Sequence, residues 1–268
     1  MAAEGDDDDG GDGQGQLVEG DVTVDGRRWH FYYAGDPAAQ TVVVVHGFHG
    51  SGAFFEGLLR DLAADGWLAI APDLPGHGGS DPWDPREPAE EQWRMLAAFL
   101  GALEVPPAAI VGHSRGGAVA IQLAARRAER VRALVLVSSG GLPFRSGTLD
   151  LVRMVADPGA LTPSLVSRLR ASSAAAKGYD EARARAMGQG RLERDLGMLL
   201  PSVLAPTLVL WGAQDPTVPG DVSERLARGI PGARLVVLDG VGHLPFIEAP
   251  DELSRLVRGF LREHLPPD

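Results

Sequence analysis

In the segment Gly112-His113-Ser114-Arg115-Gly116-Gly117, a serine sits between glycines two residues before and two after it. The apolar run 108–111 precedes it and a helix-like stretch over 118–127 follows. A hydroxyl raised on a sharp strand-to-helix turn needs small neighbours there, because adjacent chain must pass without meeting a Cβ. The match alone is weak in a chain with 35 glycines, where an ordinary glycine-rich turn with an exposed serine would read the same way. A serine hydroxyl is a poor nucleophile at neutral pH and requires a histidine base oriented by an acid. Asp215, in Trp211-Gly212-Ala213-Gln214-Asp215, follows the apolar run 207–211, and His243, in Gly240-Val241-Gly242-His243, follows the run 235–238. Taken singly, Asp215 before Pro216 reads as a turn residue and His243 as an exposed histidine in a flexible glycine loop. Together with Ser114 they stand at the carboxyl ends of three predicted strands, where open α/β sheets bind ligands. The preceding strand ends in Val137-Ser138-Ser139-Gly140 and offers no acid, so Asp215 is the expected orienter, with Asp239 or Glu248 the acids to turn to if it is not.

Acyl chemistry at such a serine also needs rigid backbone donors for a developing oxyanion. These are assigned to the N–H groups of Phe48, in His46-Gly47-Phe48-His49-Gly50-Ser51-Gly52, and of Arg115. His46 reads as a buried brace of its loop, and His77 as structural within Asp73-Leu74-Pro75-Gly76-His77-Gly78-Gly79-Ser80. The Arg115 guanidinium has two readings, a partner for a substrate carboxylate or a salt bridge turned away from the pocket. His49, Leu142, Phe144, Val218 and Leu244 flank these motifs and are expected to bind substrate.

The elements that must carry these residues are readable. Runs 17–24 and 27–34 alternate in polarity around Asp25-Gly26, a hairpin signal. Runs 41–45, 67–71, 108–111 and 131–137 are almost wholly apolar and separated by helix-length segments, the pattern of buried parallel strands. Strand-like 206–211 and 233–238 flank a helix-like 222–230, and helical periods cover about 88–103 and the stretch after Pro250. Between 141 and 201 the rhythm stops. Three short amphipathic stretches there, opened by Thr148, Thr162 and Asp180, read as a helical insertion. The division is a solvated acidic tail over 1–16, a core over 17–140 and 202–268, and a helical cap over 141–201, expected to be mobile and to cover Ser114.

Composition narrows the field. The chain has 268 residues, 44% hydrophobic and 23% charged, which fits a folded globular protein. There is no cysteine, which excludes disulfides, thiolate metal sites and a cysteine nucleophile. Net charge is −11, with six acids in the first sixteen residues and no base among them, so the body is mildly acidic. No basic patch with interleaved aromatics appears, which argues against a nucleic-acid partner. No apolar run is long enough to span a bilayer and the N-terminus opens acidic, so neither a membrane anchor nor secretion is expected and a cytoplasmic location is. The expected partner is a small-molecule substrate, with no metal or cofactor, and oligomeric state is not readable.

Across about 17–265 the chain resembles the α/β-hydrolase superfamily, in particular compact bacterial members with a short helical cap. The resemblance rests on HGFHGSG, DLPGHGGS, GHSRGG, LVLWGAQDPTVP and GHLPFIEAPDEL, in that order. It implies an α/β-hydrolase fold, a mostly parallel doubly wound sheet with a helical cap insertion, and a Ser, Asp, His order of catalytic residues. Serine at the nucleophile position departs from haloalkane dehalogenases and epoxide hydrolases, which form an alkyl-enzyme ester. Esterases, lipases, C–C bond hydrolases, cofactor-free haloperoxidase-like enzymes and some lyases share the motifs. The expected activity is cleavage of a carboxylic ester of a small or medium apolar substrate through an acyl-enzyme. The alternatives are a C–C bond hydrolase or lyase acting on an oxo-acid, the HGF and DLPGHGGS segments also resembling menaquinone-pathway lyases, and a non-catalytic ligand-binding protein of the same fold.

Overall fold

A computed structural model of the chain describes residues 15–48, 50–84, 92–144 and 195–267. Eight strands form one sheet in the order β1-β2-β4-β3-β5-β6-β7-β8. β1 (Val18–Val24) and β2 (Arg27–Ala34) make an antiparallel hairpin. Asp25 and Gly26, both at positive φ (50° and 75°), supply the tight turn that matches strand twist. β2 lies antiparallel to β4 (Leu68–Pro72), and every later pairing is parallel: β3 (Thr41–Val45), β5 (Ala108–His113), β6 (Val131–Val137), β7 (Thr207–Gly212) and β8 (Arg234–Leu238).

The central strands are apolar at nearly every position because helices cover both faces of the sheet. In β3 alternate residues serve opposite layers. Val43 and Val45 join a core with Trp29, Phe99, Ile121 and Trp211, while Val42 and Val44 join one with Leu59, Leu62, Trp67 and Phe260. α2 (Gln92–Ala102), α3 (Arg115–Arg126) and α4 (Gly220–Gly229) pack on the first face; α1 (Glu56–Ala64) and α6 (Pro250–His264) pack on the second. A short helix, α5 (Pro245–Glu248), precedes α6.

Two elements differ from the sequence expectation. β5 runs on through Gly112 and His113, which pair with Val45 of β3 and with Leu136 and Val137 of β6. α3 starts at Arg115 rather than near 118, so Gly116 and Gly117 are helical. Propensity disfavours glycine there, but a Cβ on Gly116 would lie 2.2 Å from the Val45 carbonyl oxygen. Close approach of the helix to β3 overrides propensity.

The chain leaves β6 at Val137 and re-enters the sheet at Thr207 in the adjacent strand, so the intervening segment begins at the carboxyl edge of the sheet. Its two described ends meet: the Leu196 N–H donates to the Gly141 carbonyl at 2.7 Å, and Leu142, Leu196 and Leu200 are buried in the core. The amphipathic stretches expected from Thr148, Thr162 and Asp180, most of the expected cap, nearly all of the acidic tail, and His49 lie outside the described residues. Among the described residues no helix is long and apolar enough to cross a membrane.

Candidate active site

Ser114 occupies the turn between β5 and α3 with φ 51° and ψ −119°. A non-glycine residue there costs on the order of 1–3 kcal/mol, and the surroundings hold it in place. Its N–H donates to the Val137 carbonyl (3.0 Å), and its own carbonyl accepts from Gly117 (3.0 Å) and Gly140 (2.9 Å). The HGFHGSG loop presses against it from β3, since a Cβ on Gly47 would lie 2.8 Å from the Ser114 Cβ.

Asp215 lies just past the end of β7 and His243 just past the end of β8. His243 Nε2 lies 3.1 Å from Ser114 Oγ, and His243 Nδ1 lies 2.8 Å from Asp215 Oδ2. The other carboxylate oxygen of Asp215 accepts the N–H groups of Thr217 (2.8 Å) and Val218 (2.9 Å). A carboxylate can only accept, so His243 donates through Nδ1, the tautomer that, in a neutral ring, leaves Nε2 to accept from the serine hydroxyl. The Asp215 and His243 side chains are 1% and 2% exposed, so bulk water does not compete for these contacts. The structure therefore brings together the three residues singled out from sequence.

The rival acids are engaged elsewhere. Glu248 accepts the Gly242 N–H on Oε2 (2.7 Å) and the Leu244 N–H on Oε1 (2.8 Å), bracing the backbone on both sides of His243. Asp239 accepts from Gln214 Nε2 on the exposed surface. The 240–243 segment, expected to be a flexible glycine loop, is instead a pinned turn: besides the Glu248 clamp, the Gln214 N–H donates to the Val241 carbonyl at 2.9 Å.

Phe48 lies half-buried one residue past Gly47. Arg115 is the first residue of α3, so its N–H has no intrahelical acceptor and sits in the positive field of the helix start. The Arg115 guanidinium carbon lies 5.8 Å from the centre of the Phe48 ring, so its side chain turns toward the HGFHGSG loop. His46 is the brace expected of it: its Nδ1 donates to the Gly47 carbonyl (2.7 Å) and its Nε2 accepts the Leu74 N–H (2.9 Å). Burial, helped by the Arg115 charge and opposed by Asp73, lowers its proton affinity. His77 is buried, with Nδ1 3.2 Å from the Pro75 carbonyl.

Of the residues expected to bind substrate, Leu142 and Val218 are buried in the core and Phe144 packs against it. Val218 acts visibly through its backbone, its carbonyl accepting from Trp211 Nε1 at 3.2 Å. Leu244 is buried beside Phe246 in the opposite layer. Two buried polar groups that join separate segments were not foreseen. Asp73, fully buried, accepts the Gly52 N–H on Oδ1 (2.7 Å) and the Gly79 N–H on Oδ2 (2.8 Å), tying the loop after β4 to the end of the HGFHGSG segment. His113 contacts the backbone of His243. Asp73 opens the DLPGHGGS motif, so its importance had a signal, but its partners from other segments had none.

The profile of the alpha/beta hydrolase family matches residues 42–256. The chain belongs to this family. It is 31% identical over 252 residues to a 2-hydroxy-6-oxononadienedioate/2-hydroxy-6-oxononatrienedioate hydrolase of Cupriavidus pinatubonensis, covering 83% of this chain and 87% of that protein. Among solved structures it is similar to a meta-cleavage product hydrolase from Pseudomonas fluorescens (TM-score 0.79, 25% identity, 91% of this chain and 97% of the other). A thermophilic esterase from Thermogutta terrifontis is also similar (TM-score 0.75, 26% identity, 92% and 99%). Alpha/beta hydrolases of this shape thus include C–C bond hydrolases and esterases.

Proposed function

We propose that this alpha/beta hydrolase is a serine esterase that cleaves a carboxylic ester of a small or medium apolar substrate through an acyl-enzyme. The observation that carries the reading is the continuous line from Ser114 Oγ to His243 Nε2 (3.1 Å) and from His243 Nδ1 to Asp215 Oδ2 (2.8 Å), built at a strained turn. Ser114 Oγ attacks the ester carbonyl while His243 Nε2 takes its proton. Asp215 holds the ring in the required tautomer and stabilises the imidazolium. The N–H groups of Phe48 and Arg115 receive the oxyanion. His243 then protonates the leaving alkoxide, and the acyl-enzyme is hydrolysed by water activated at the same nitrogen.

A second reading is C–C bond hydrolysis of an oxo-acid. It is supported by the likeness, over 83% of this chain, to a hydrolase of 2-hydroxy-6-oxo diacids and by Arg115, the residue after Ser114, whose guanidinium lies over the Phe48 ring and would be the partner of a substrate carboxylate. Covalent labelling by a fluorophosphonate tests both readings against a ligand-binding protein, which would stay unlabelled. A panel of p-nitrophenyl esters set beside a 2-hydroxy-6-oxo-dienoate then separates them. The ester reading expects turnover of the esters and little change in KM for Arg115→Leu. Cleavage of the oxo-acid alone, with KM raised about tenfold or more in Arg115→Leu, as loss of a charge-assisted pair would give, would replace it.

A further inference from the structure

His113 stands immediately before Ser114 at the end of β5, is buried, and takes no part in the line from Ser114 through His243 to Asp215. Its Nε2 lies 2.9 Å from the backbone carbonyl oxygen of His243, a residue 130 positions further along the chain. A carbonyl oxygen only accepts, so His113 Nε2 carries the hydrogen. The peptide unit following His243 is thereby held at both ends: its oxygen accepts from His113, and its N–H, that of Leu244, donates to Glu248 Oε1 at 2.8 Å. On the other side of the ring a Cβ on Gly47 would lie 2.9 Å from His113 Nδ1, so His113 fills the space between the HGFHGSG loop and the His243 turn. The two imidazole centres are 5.0 Å apart, and Phe246 closes edge-on at 4.8 Å.

We infer that His113 is a positioning residue for His243: as the Nε2–H tautomer it fixes the His243 peptide so that the ring meets Ser114 Oγ. This rests on the reading of Ser114, His243 and Asp215 as one catalytic unit. Neutrality belongs to the same role. A charged ring at this distance would oppose the imidazolium that His243 becomes when it takes the serine proton. Burial first, and then the neighbouring His243 and His46, push the proton affinity of His113 well below the ordinary imidazole range. Glu248 faces the same peptide from α5, with both its oxygens on backbone N–H groups.

The test uses two polar replacements of different reach. A glutamine amide nitrogen is as many bonds from Cβ as His Nε2, whereas that of asparagine only reaches the place of Nδ1. In the full-length protein with p-nitrophenyl butyrate, His113→Gln should keep kcat within about fivefold of the parent, while His113→Asn should lose about thirtyfold or more with KM nearly unchanged, the scale of a slightly misplaced catalytic group. Fluorophosphonate labelling rates should rank the same way. Independently of turnover, nitrogen NMR at neutral pH should find His113 uncharged and as the Nε2–H tautomer. A His113 that is charged at neutral pH or carries its hydrogen on Nδ1 overturns the inference even if both variants are slow. A labelled parent with His113→Asn as fast as His113→Gln overturns this inference alone. A parent that does not label overturns the catalytic reading and this one with it.

Discussion

At the end of β7 Asp215 accepts two backbone N–H groups and a histidine Nδ1; at the end of β4 Asp73 does the same with Gly52, Gly79 and His30. Both carboxylates are buried, and the histidine distances are 2.8 and 3.1 Å. The two pairs part at the far ring nitrogen. His243 Nε2 faces the hydroxyl of a strained serine, whereas His30 Nε2 lies 3.4 Å from Glu19, an exposed carboxylate. With an acid on each nitrogen, His30 is built to hold a proton, and its proton affinity is raised, chiefly by the hydrogen bond to Asp73. With a hydroxyl on one nitrogen, His243 is placed to take the serine proton in the proposed mechanism. In this molecule buried aspartate–histidine pairs thus fasten loops to the sheet edge twice, and in the proposed mechanism the group at the outer end is what makes one of them chemical.

The largest effect that would sharpen this contrast is at Ser114. Ser114→Ala should lower kcat by about 10⁴ to 10⁶ with its melting temperature little changed, since the side chain contributes no packing partner to the core. His30→Ala, in the other pair, should stay within a few-fold of the parent. A Ser114→Ala enzyme retaining a tenth of the activity would remove the distinction. Next, Asp215→Asn should cost about 10⁴ in kcat by favouring the wrong tautomer of His243. Near-normal turnover in that variant would mean that the geometry at β7 has no more catalytic meaning than that at β4.

Asp73→Asn should behave in the opposite sense. An amide at this site cannot accept all three hydrogen bonds, so urea unfolding should report a loss of about 1–3 kcal/mol, with kcat reduced by less than about tenfold, since only the end of the HGFHGSG loop is loosened. A kcat loss matching that of Asp215→Asn would make the β4 pair part of the chemistry. The smallest effect is the pH dependence of His30. Its affinity is raised above the ordinary imidazole value of 6.5 in the folded state. Its stabilisation is therefore complete below that value and lost as pH rises through the higher folded one. The difference in unfolding free energy between the parent and His30→Gln should be larger near pH 5.5 than near pH 8.5, by up to about 1 kcal/mol for a partly exposed group of this kind. An equal difference at both pH values would show that His30 contributes packing only.

Much of the fold was readable because its signals are local. Alternation in 17–24 and 27–34 around Asp25-Gly26, almost wholly apolar runs for β3, β5, β6 and β7, and helical periods after Pro250 each depend on residues a few positions apart. Ser114, Asp215 and His243 could be proposed because each follows such a run at the edge where parallel strands end. The start of α3 at Arg115 was not readable. Local propensity opposes glycine in a helix, and the contact that requires it, with the Val45 carbonyl, comes from a strand seventy residues earlier in the chain, about the reach that only tertiary packing supplies.

The sequence by itself determined most of the strands of the sheet, the helix after Pro250, and which three side chains stand at one sheet edge. Tertiary structure alone decided the partners. Position at a strand end favoured Asp215 as the partner of His243, but nothing in the spacing of Asp239 and Glu248 says that the second clamps the backbone beside the ring while the first stays on the surface. Nor does spacing reveal His113 on the His243 carbonyl or His30 on Asp73, contacts 130 and 43 residues apart. The physical reason is one of range: periodicity and turn chemistry are written in neighbouring residues, whereas a hydrogen bond is satisfied within about 3 Å, by whichever atoms the order and register of the strands deliver.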